Sequence, residues 1–338
     1  MAFPRATSVD VSPRRRHLSI AAAAACLAAA LAACSDDGGI QAVQLLARAN
    51  ALGTPGPSHR GQRVVEYWNE GEHHTHRERI FVGAGDDLGM QLVSIDGAQP
   101  EPTSLIHFVR QARYLHRFRD LAIDDPALVL ENYDVEVVSP DEVVAGRSVV
   151  HLLFQPRHKK VGRREVWVDK ESGVALRVER YSREGSRAFR VEYESIELGG
   201  TLERIDSDPP QLPAAPVRLT GADAKLNFQT LEPTYIPKGY RLADSDVVLA
   251  GPPGETTKVR RDRFTDGLDH VLVLHGDGTS GLWNAPQIES ASGAVTFGTM
   301  KIGLVSIVAA ARGDCVLTAF GRVEPRILER LVYGYRAK

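Results

Sequence analysis

Apolar and polar residues alternate along much of this chain, and only a few stretches carry the three-and-four spacing of a helix. The alternation is plainest at Phe189, Val191 and Tyr193, interleaved with Arg190, Glu192 and Glu194. In a strand such a pattern gives one dry face and one wet face. The phase flips at Ser195, after which Ile196 and Leu198 take the apolar positions. That predicts a β-bulge or a change of covering element. The same reading predicts five successive strands over residues 134–138, 148–154, 163–169, 174–181 and 187–198. The loops 169–173 and 183–185 end in glycine, where a tight hairpin turn needs positive φ.

Upstream, strands are predicted at 63–68, 77–82 and 91–95, with Asn69-Glu70-Gly71 as the first turn. Helical spacing marks Ile40, Val43, Leu46 and Ala47, stopped by Gly53, Pro55 and Pro57. It returns at Leu105, Phe108, Val109, Leu115 and Phe118 within 103–121, and 127–132 continues that helical cover. A strand meander around helices predicts a half-open, curved antiparallel sheet wrapped over them. Pro209, Pro210, Pro213 and Pro216 then make a semi-rigid spacer. Beyond it, strands are predicted at 246–250, 257–262, 268–275, 294–297, 301–310 and 315–320. A closing helix begins at Pro325, buries a stripe of Ile327, Leu328, Leu331 and Val332, and stops at Gly334. The expected fold class is α+β in two domains, 40–204 and a smaller α+β unit at 218–338, joined by the proline-rich linker 205–217.

The N-terminus changes the picture. Arg14, Arg15 and Arg16 precede an apolar run from Leu18 to Ala33, shorter than the ~20 residues of a comfortable bilayer span. Leu31-Ala32-Ala33-Cys34 closes it and reads as a lipobox, with residues 1–33 as signal peptide, Cys34 as the lipidation site and 34–39 as a short tether. An ordinary signal peptide with an incidental cysteine is the competing reading. Ser35, rather than aspartate, favours the outer membrane under the enteric sorting rule, so the expected location is periplasm-facing and lipid-anchored. Of three cysteines, Cys26 leaves with the leader and Cys34 carries lipid, so Cys315 stands alone as expected core filler. A net charge of −2 with 25% charged residues gives no basic field for a nucleic acid.

Few residues suggest chemistry. Glu72-His73-His74-Thr75-His76 has metal-ligand character, but Arg77 and Arg79 beside it would repel a cation, and no metal is assigned. Arg110, Arg113 and Arg117 form a cationic rim for a lipid phosphate or an acidic partner, against the plainer reading of a solvated helix face. Arg157-His158-Lys159-Lys160 reads as a basic loop. Asp169 opens a hairpin, where a carboxylate accepts turn amides, and no acid, base or nucleophile converges with it. Neither catalytic residues nor a cofactor are expected, so the chain is read as a non-enzyme.

Several runs carry a resemblance: Asn132-Tyr133-Asp134-Val135, Val144-Ala145-Gly146-Arg147, the stretch from Val166 to Arg177, Ile236-Pro237-Lys238-Gly239-Tyr240, Phe264-Thr265-Asp266-Gly267-Leu268, and Ala319-Phe320-Gly321-Arg322-Val323-Glu324-Pro325. In this order they resemble the MucB/RseB family. The resemblance implies a first domain similar to the lipoprotein carriers LolA and LppX. It also implies a periplasmic regulator that binds an anti-sigma factor, shields it from proteolysis and releases it when lipid or lipopolysaccharide signals envelope stress; a lipid or lipoprotein is the expected ligand. The best-known relatives are soluble, whereas this chain carries a lipidation signal, so another envelope protein is an alternative partner. Trp167, Leu176, Phe189, Val191 and Tyr193 are the expected lining of an acyl pocket. The rival function is a lipid- or lipoprotein-handling protein without a regulatory partner.

Overall fold

Most of the expected strands form, and they assemble into two antiparallel sheets. The computed structural model describes residues 57–69, 71–83, 88–100, 123, 125–158, 162–205, 217–250, 257–277, 297–302, 305–312, 314–321 and 323–337. The first sheet contains β1 (His59–Asn69), β2 (Glu72–Val82), β3 (Leu88–Ile95), β4 (Tyr133–Val144), β5 (Arg147–Pro156), β6 (Arg164–Asp169), β7 (Ala175–Tyr181) and β8 (Arg187–Leu198). Its order is β3-β2-β1-β8-β7-β6-β5-β4, so the five-strand meander meets the N-terminal hairpins where β8 pairs with β1. The bulge predicted near Ser195 is there. Gln62 pairs with Ser195 but Arg63 with Tyr193, leaving Glu194 as the extra residue.

The β4–β5 hairpin shows how local sequence sets register. Val144 pairs with Arg147, so Ala145 and Gly146 form a two-residue loop, and both have positive φ, 50° and 74°. That is the type I′ pattern, whose twist matches the flanking strands. On β4 the register slips twice, between Val137 and Ser139 and between Ser139 and Glu142, around Pro140. β4 is an edge strand, and Val138 and Val143 stand exposed on it.

α1 (Pro126–Asn132) precedes β4. Asp125 caps it by accepting hydrogen bonds from the backbone amides of Ala127 (2.9 Å) and Leu128 (3.1 Å), with Pro126 in the first turn. Val129 from this helix joins Val65, Leu152, Phe154, Val166, Val178, Phe189 and Val191 in a buried core.

The second sheet has seven strands. Here β9 (Val217–Leu219) and β14 (Phe297–Ile302) are the edges, around β11 (Arg241–Ala250), β12 (Thr257–Thr265), β13 (His270–Asp277), β15 (Val305–Arg312) and β16 (Cys315–Gly321). A separate two-residue ribbon joins β10 (Glu232–Pro233) to β17 (Tyr335–Arg336). α2 (Pro325–Tyr333) packs on β15 and β16, with Leu328, Leu331 and Val332 fully buried against Val308, Leu317 and Ala319. Each such side chain contributes about 1.5–3 kcal/mol.

Three expectations need correcting. Residues 301–310 are not one strand: β14 ends at Ile302, β15 begins at Val305, and the two pair as a hairpin. The strand expected from 268 begins at His270, because 266–269 form a turn. Finally, the α+β class holds only in part: the described residues are mostly β, with two antiparallel sheets and the short helices α1 and α2. The helices expected at 40–47 and 103–121, and most of the proline-rich linker, lie outside the described residues. No helix among the described residues is long and apolar enough to cross a membrane.

Candidate functional site

The most elaborately built polar region lies where the two sheets meet. The turn between β12 and β13 is local in origin: the Asp266 carboxylate accepts from the amides of Leu268 (2.9 Å) and Asp269 (2.6 Å), and Thr265 Oγ1 accepts from Gly267 N (3.0 Å). Gly267 has φ +100°, and a Cβ there would lie 2.7 Å from Val129 Cγ2 and 2.8 Å from Val129 N, so only glycine lets the turn lie on α1. Leu268 then enters the core of the first sheet, 1% exposed.

Polar bonds fasten this turn on both flanks. On one side the Tyr133 hydroxyl donates to Asp266 Oδ2 (2.7 Å), while Asn132 Nδ2 donates to the carbonyls of Asp266 (2.9 Å) and Gly239 (2.8 Å). On the other, Arg164 and Arg180, register partners on β6 and β7, both pair with the buried Asp269, Arg180 at 2.8 Å. Arg241 also pairs with the helix-capping Asp125. Burial, then the Asp266 charge, pushes the Tyr133 and Tyr240 hydroxyls well above the usual phenol range, so both stay protonated.

Beside this fastening is a cleft of about 340 Å³. Trp68, Tyr181, Phe189 and Tyr240 give it aromatic walls, and Arg163, Arg164, Arg180 and Arg183 line it. Two of the lining residues carry a buried donor, Arg164 Nη1 and the Tyr240 hydroxyl, with no hydrogen-bond acceptor among the described residues. The arrangement is suited to binding an acceptor-rich group.

Residues 95–212 match the family described as the MucB/RseB N-terminal domain. The solved structures agree in fold. The crystal structure of MucB in complex with MucA(peri) is 17% identical, with a TM-score of 0.50, covering 89% of this chain and 99% of that one. The Pseudomonas aeruginosa MucA/MucB complex is 18% identical with the same TM-score, covering 88% and 99%. MucB alone covers 90% and 99% at 17% identity. No curated protein matches the chain.

Within the matched residues 95–212, the five residues expected to line an acyl pocket are all buried, but they fall into two clusters. Phe189 and Val191 pack with Val166 and Leu152, whereas Trp167, Leu176 and Tyr193 pack with Ile80, Met90 and Leu92. Trp167 is further held by polar neighbours. His151 stacks on it at 4.0 Å, Arg177 lies 4.1 Å from its ring, and its Nε1 donates to Glu142 Oε2 at 2.6 Å. Cys34, Arg110, Arg113 and Arg117 lie outside the described residues.

The other candidates find plain roles. His74 lies 3.1 Å from Asp96 and His76 lies 3.2 Å from the Tyr67 hydroxyl, and no group of three metal-ligating side chains converges among the described residues. Asp169 accepts from Ser172 N (2.7 Å) and Arg147 Nε (2.6 Å), which is the turn role expected of it. Cys315 is buried, and burial pushes its thiol up to about 11, leaving it an inert apolar group. From the basic loop, Arg157 pairs with Asp134 and His158 Nε2 lies 3.0 Å from Asn132 Oδ1, joining the junction. Sequence reasoning missed the junction itself. Its one trace was that Asn132-Tyr133 and Asp266-Gly267-Leu268, separate motifs in the sequence, are the residues that meet there.

Proposed function

We propose that this chain is a lipid-anchored regulator of the cell envelope. It is exported, acylated on Cys34, held at the outer membrane facing the periplasm, and acts by holding a segment of a partner protein. The observation that carries this reading is the shared fold with MucB across both sheets, joined to the family match over 95–212. MucB itself has been crystallised with MucA(peri). By extension the partner here is an anti-sigma factor or another envelope protein. Domains at 40–204 and 218–338, joined by 205–217, fit that division of labour, and an acyl or lipoprotein ligand would enter by parting the cores that bury Trp167, Leu176, Phe189, Val191 and Tyr193. A tether of about five residues reaches at most ~20 Å from the membrane, so the partner must come within that range.

The test is purification from detergent-solubilised membranes, with mass spectrometry of both proteins and lipids. An envelope protein should co-purify, and Cys34→Ser should move the protein to the soluble periplasmic fraction with an unchanged circular dichroism spectrum. Lipid without any co-purifying protein would favour the carrier reading. Fractionation of the wild type with the cytosol would end the proposal.

A further inference from the structure

We propose that the cleft between the sheets seats an acidic side chain of the partner segment, its carboxylate taken by the Arg164 guanidinium and the Tyr240 hydroxyl. This rests on the partner-holding reading above and names the chemistry of the contact. Arg164 is 3% exposed, yet its Nη1 has no acceptor among the described residues, and the Tyr240 hydroxyl is likewise buried without one. Buried polar groups in folded proteins are nearly always bonded, so such a pair marks a place where a partner group belongs. A guanidinium can only donate, and a protonated phenol beside it also offers a donor, so the group that fits is an acceptor with two oxygens.

Charge points the same way. Among the described residues, four arginines line the cleft against two carboxylates, Asp269 and Glu324. Both carboxylates are engaged: Asp269 by Arg164 and Arg180, and Glu324 by Arg326 at 2.5 Å. Arg183, exposed in the lining, has no carboxylate partner among the described residues. The aromatic walls suit apolar side chains flanking the acid, and arginine with tyrosine and tryptophan is the composition that dominates protein-binding hot spots. The volume is at the small end for a ligand site, which fits side chains of a peptide better than the tails of a lipid.

The test titrates the mature protein calorimetrically with the blocked tripeptides Phe-Asp-Phe and Phe-Asn-Phe. The aspartate peptide should bind at least about tenfold more tightly, and Tyr240→Phe and Arg183→Gln should each erase most of that preference. Both substitutions leave the Asp269 pairing intact, and circular dichroism checks their folding. Equal behaviour of the two peptides, or an unchanged preference in Tyr240→Phe, overturns the proposal. Tighter binding of inorganic phosphate, or of phosphatidylglycerol vesicles, than of the aspartate peptide overturns it too. The two readings fail separately: a partner that co-purifies equally well with Tyr240→Phe removes the cleft but not the regulator, while no partner at all removes the regulator.

Discussion

At the scale of single residues, the second sheet depends on one carboxylate. Asp262 is fully buried and receives the Tyr335 hydroxyl (2.9 Å), Ser245 Oγ (2.6 Å) and Arg260 Nε (2.9 Å), with His275 Nε2 at 3.1 Å. Burial alone would raise its pKa, but the bond to His275 and the neighbouring charges outweigh it and hold the carboxyl below its ordinary value. Arg260 would keep its pair with Glu232, but the buried Tyr335 hydroxyl and His275 Nε2 would lose their acceptor, so Asp262→Ala should cost about 1–3 kcal/mol, read as a lower urea midpoint. Asp169 and Glu179 are also held low, with burial opposing and their hydrogen bonds winning, from Arg147 to Asp169 and from Tyr181 to Glu179. A depressed carboxylate stabilises the fold above its unfolded value, about 3.9 for aspartate and 4.3 for glutamate, and that stability is lost as pH falls through the folded value. Stability should therefore fall steeply below about pH 4, and less steeply in Asp262→Asn. Asp244, raised by burial and then by Asp246, works in the opposite direction. None of this was legible in the sequence. Asp262 and His275 lie in runs that read as strand, and nothing local says that a polar side chain there faces inward.

At the scale of elements, short-range signals were read well wherever a turn residue marked them. β8 has the expected bounds, the bulge falls one residue from the phase flip, and α2 begins and ends at Pro325 and Gly334 as the capping rules require. The split between β14 and β15 was missed because Gly303 stands alone among Ile302, Leu304, Val305 and Ile307, and a single glycine within an apolar stretch is a weak turn signal. β9, β10 and β17 are two or three residues long, too short for any period to show. The β4–β5 turn offers a sharp test of local strain. Ala145 sits at φ 50°, where a Cβ is disfavoured and asparagine is well tolerated. Ala145→Asn should stabilise the protein by roughly 0.5–1 kcal/mol, seen as a raised melting temperature with unchanged spectra.

At the scale of the whole molecule, the turn at Gly267 and Leu268 makes two sheets behave as one body. Leu268 belongs by sequence to the second sheet and by packing to the first. Leu268→Ala should cost about 2–5 kcal/mol, and Asp269→Ala about 3–5 kcal/mol by stranding two buried arginines. Wild-type protein should melt in a single calorimetric transition, and either variant should split it into two; a single transition in both variants would show that the turn does not couple the sheets. This coupling was not legible, because its bonds span more than a hundred residues, from Arg164 to Asp269 and from Tyr133 to Asp266.

The irregular course of β4 matters wherever many copies crowd together. A straight outer strand offers an unbroken row of amides and carbonyls to which a neighbouring copy can add itself. Pro140 withholds one amide from that row, the two register slips put the others out of step, and Asp134, Glu136, Asp141 and Glu142 set like charges against any second β4. Copies lying side by side therefore cannot zip into a continuous ribbon along this margin, and crowding need not end in polymerisation.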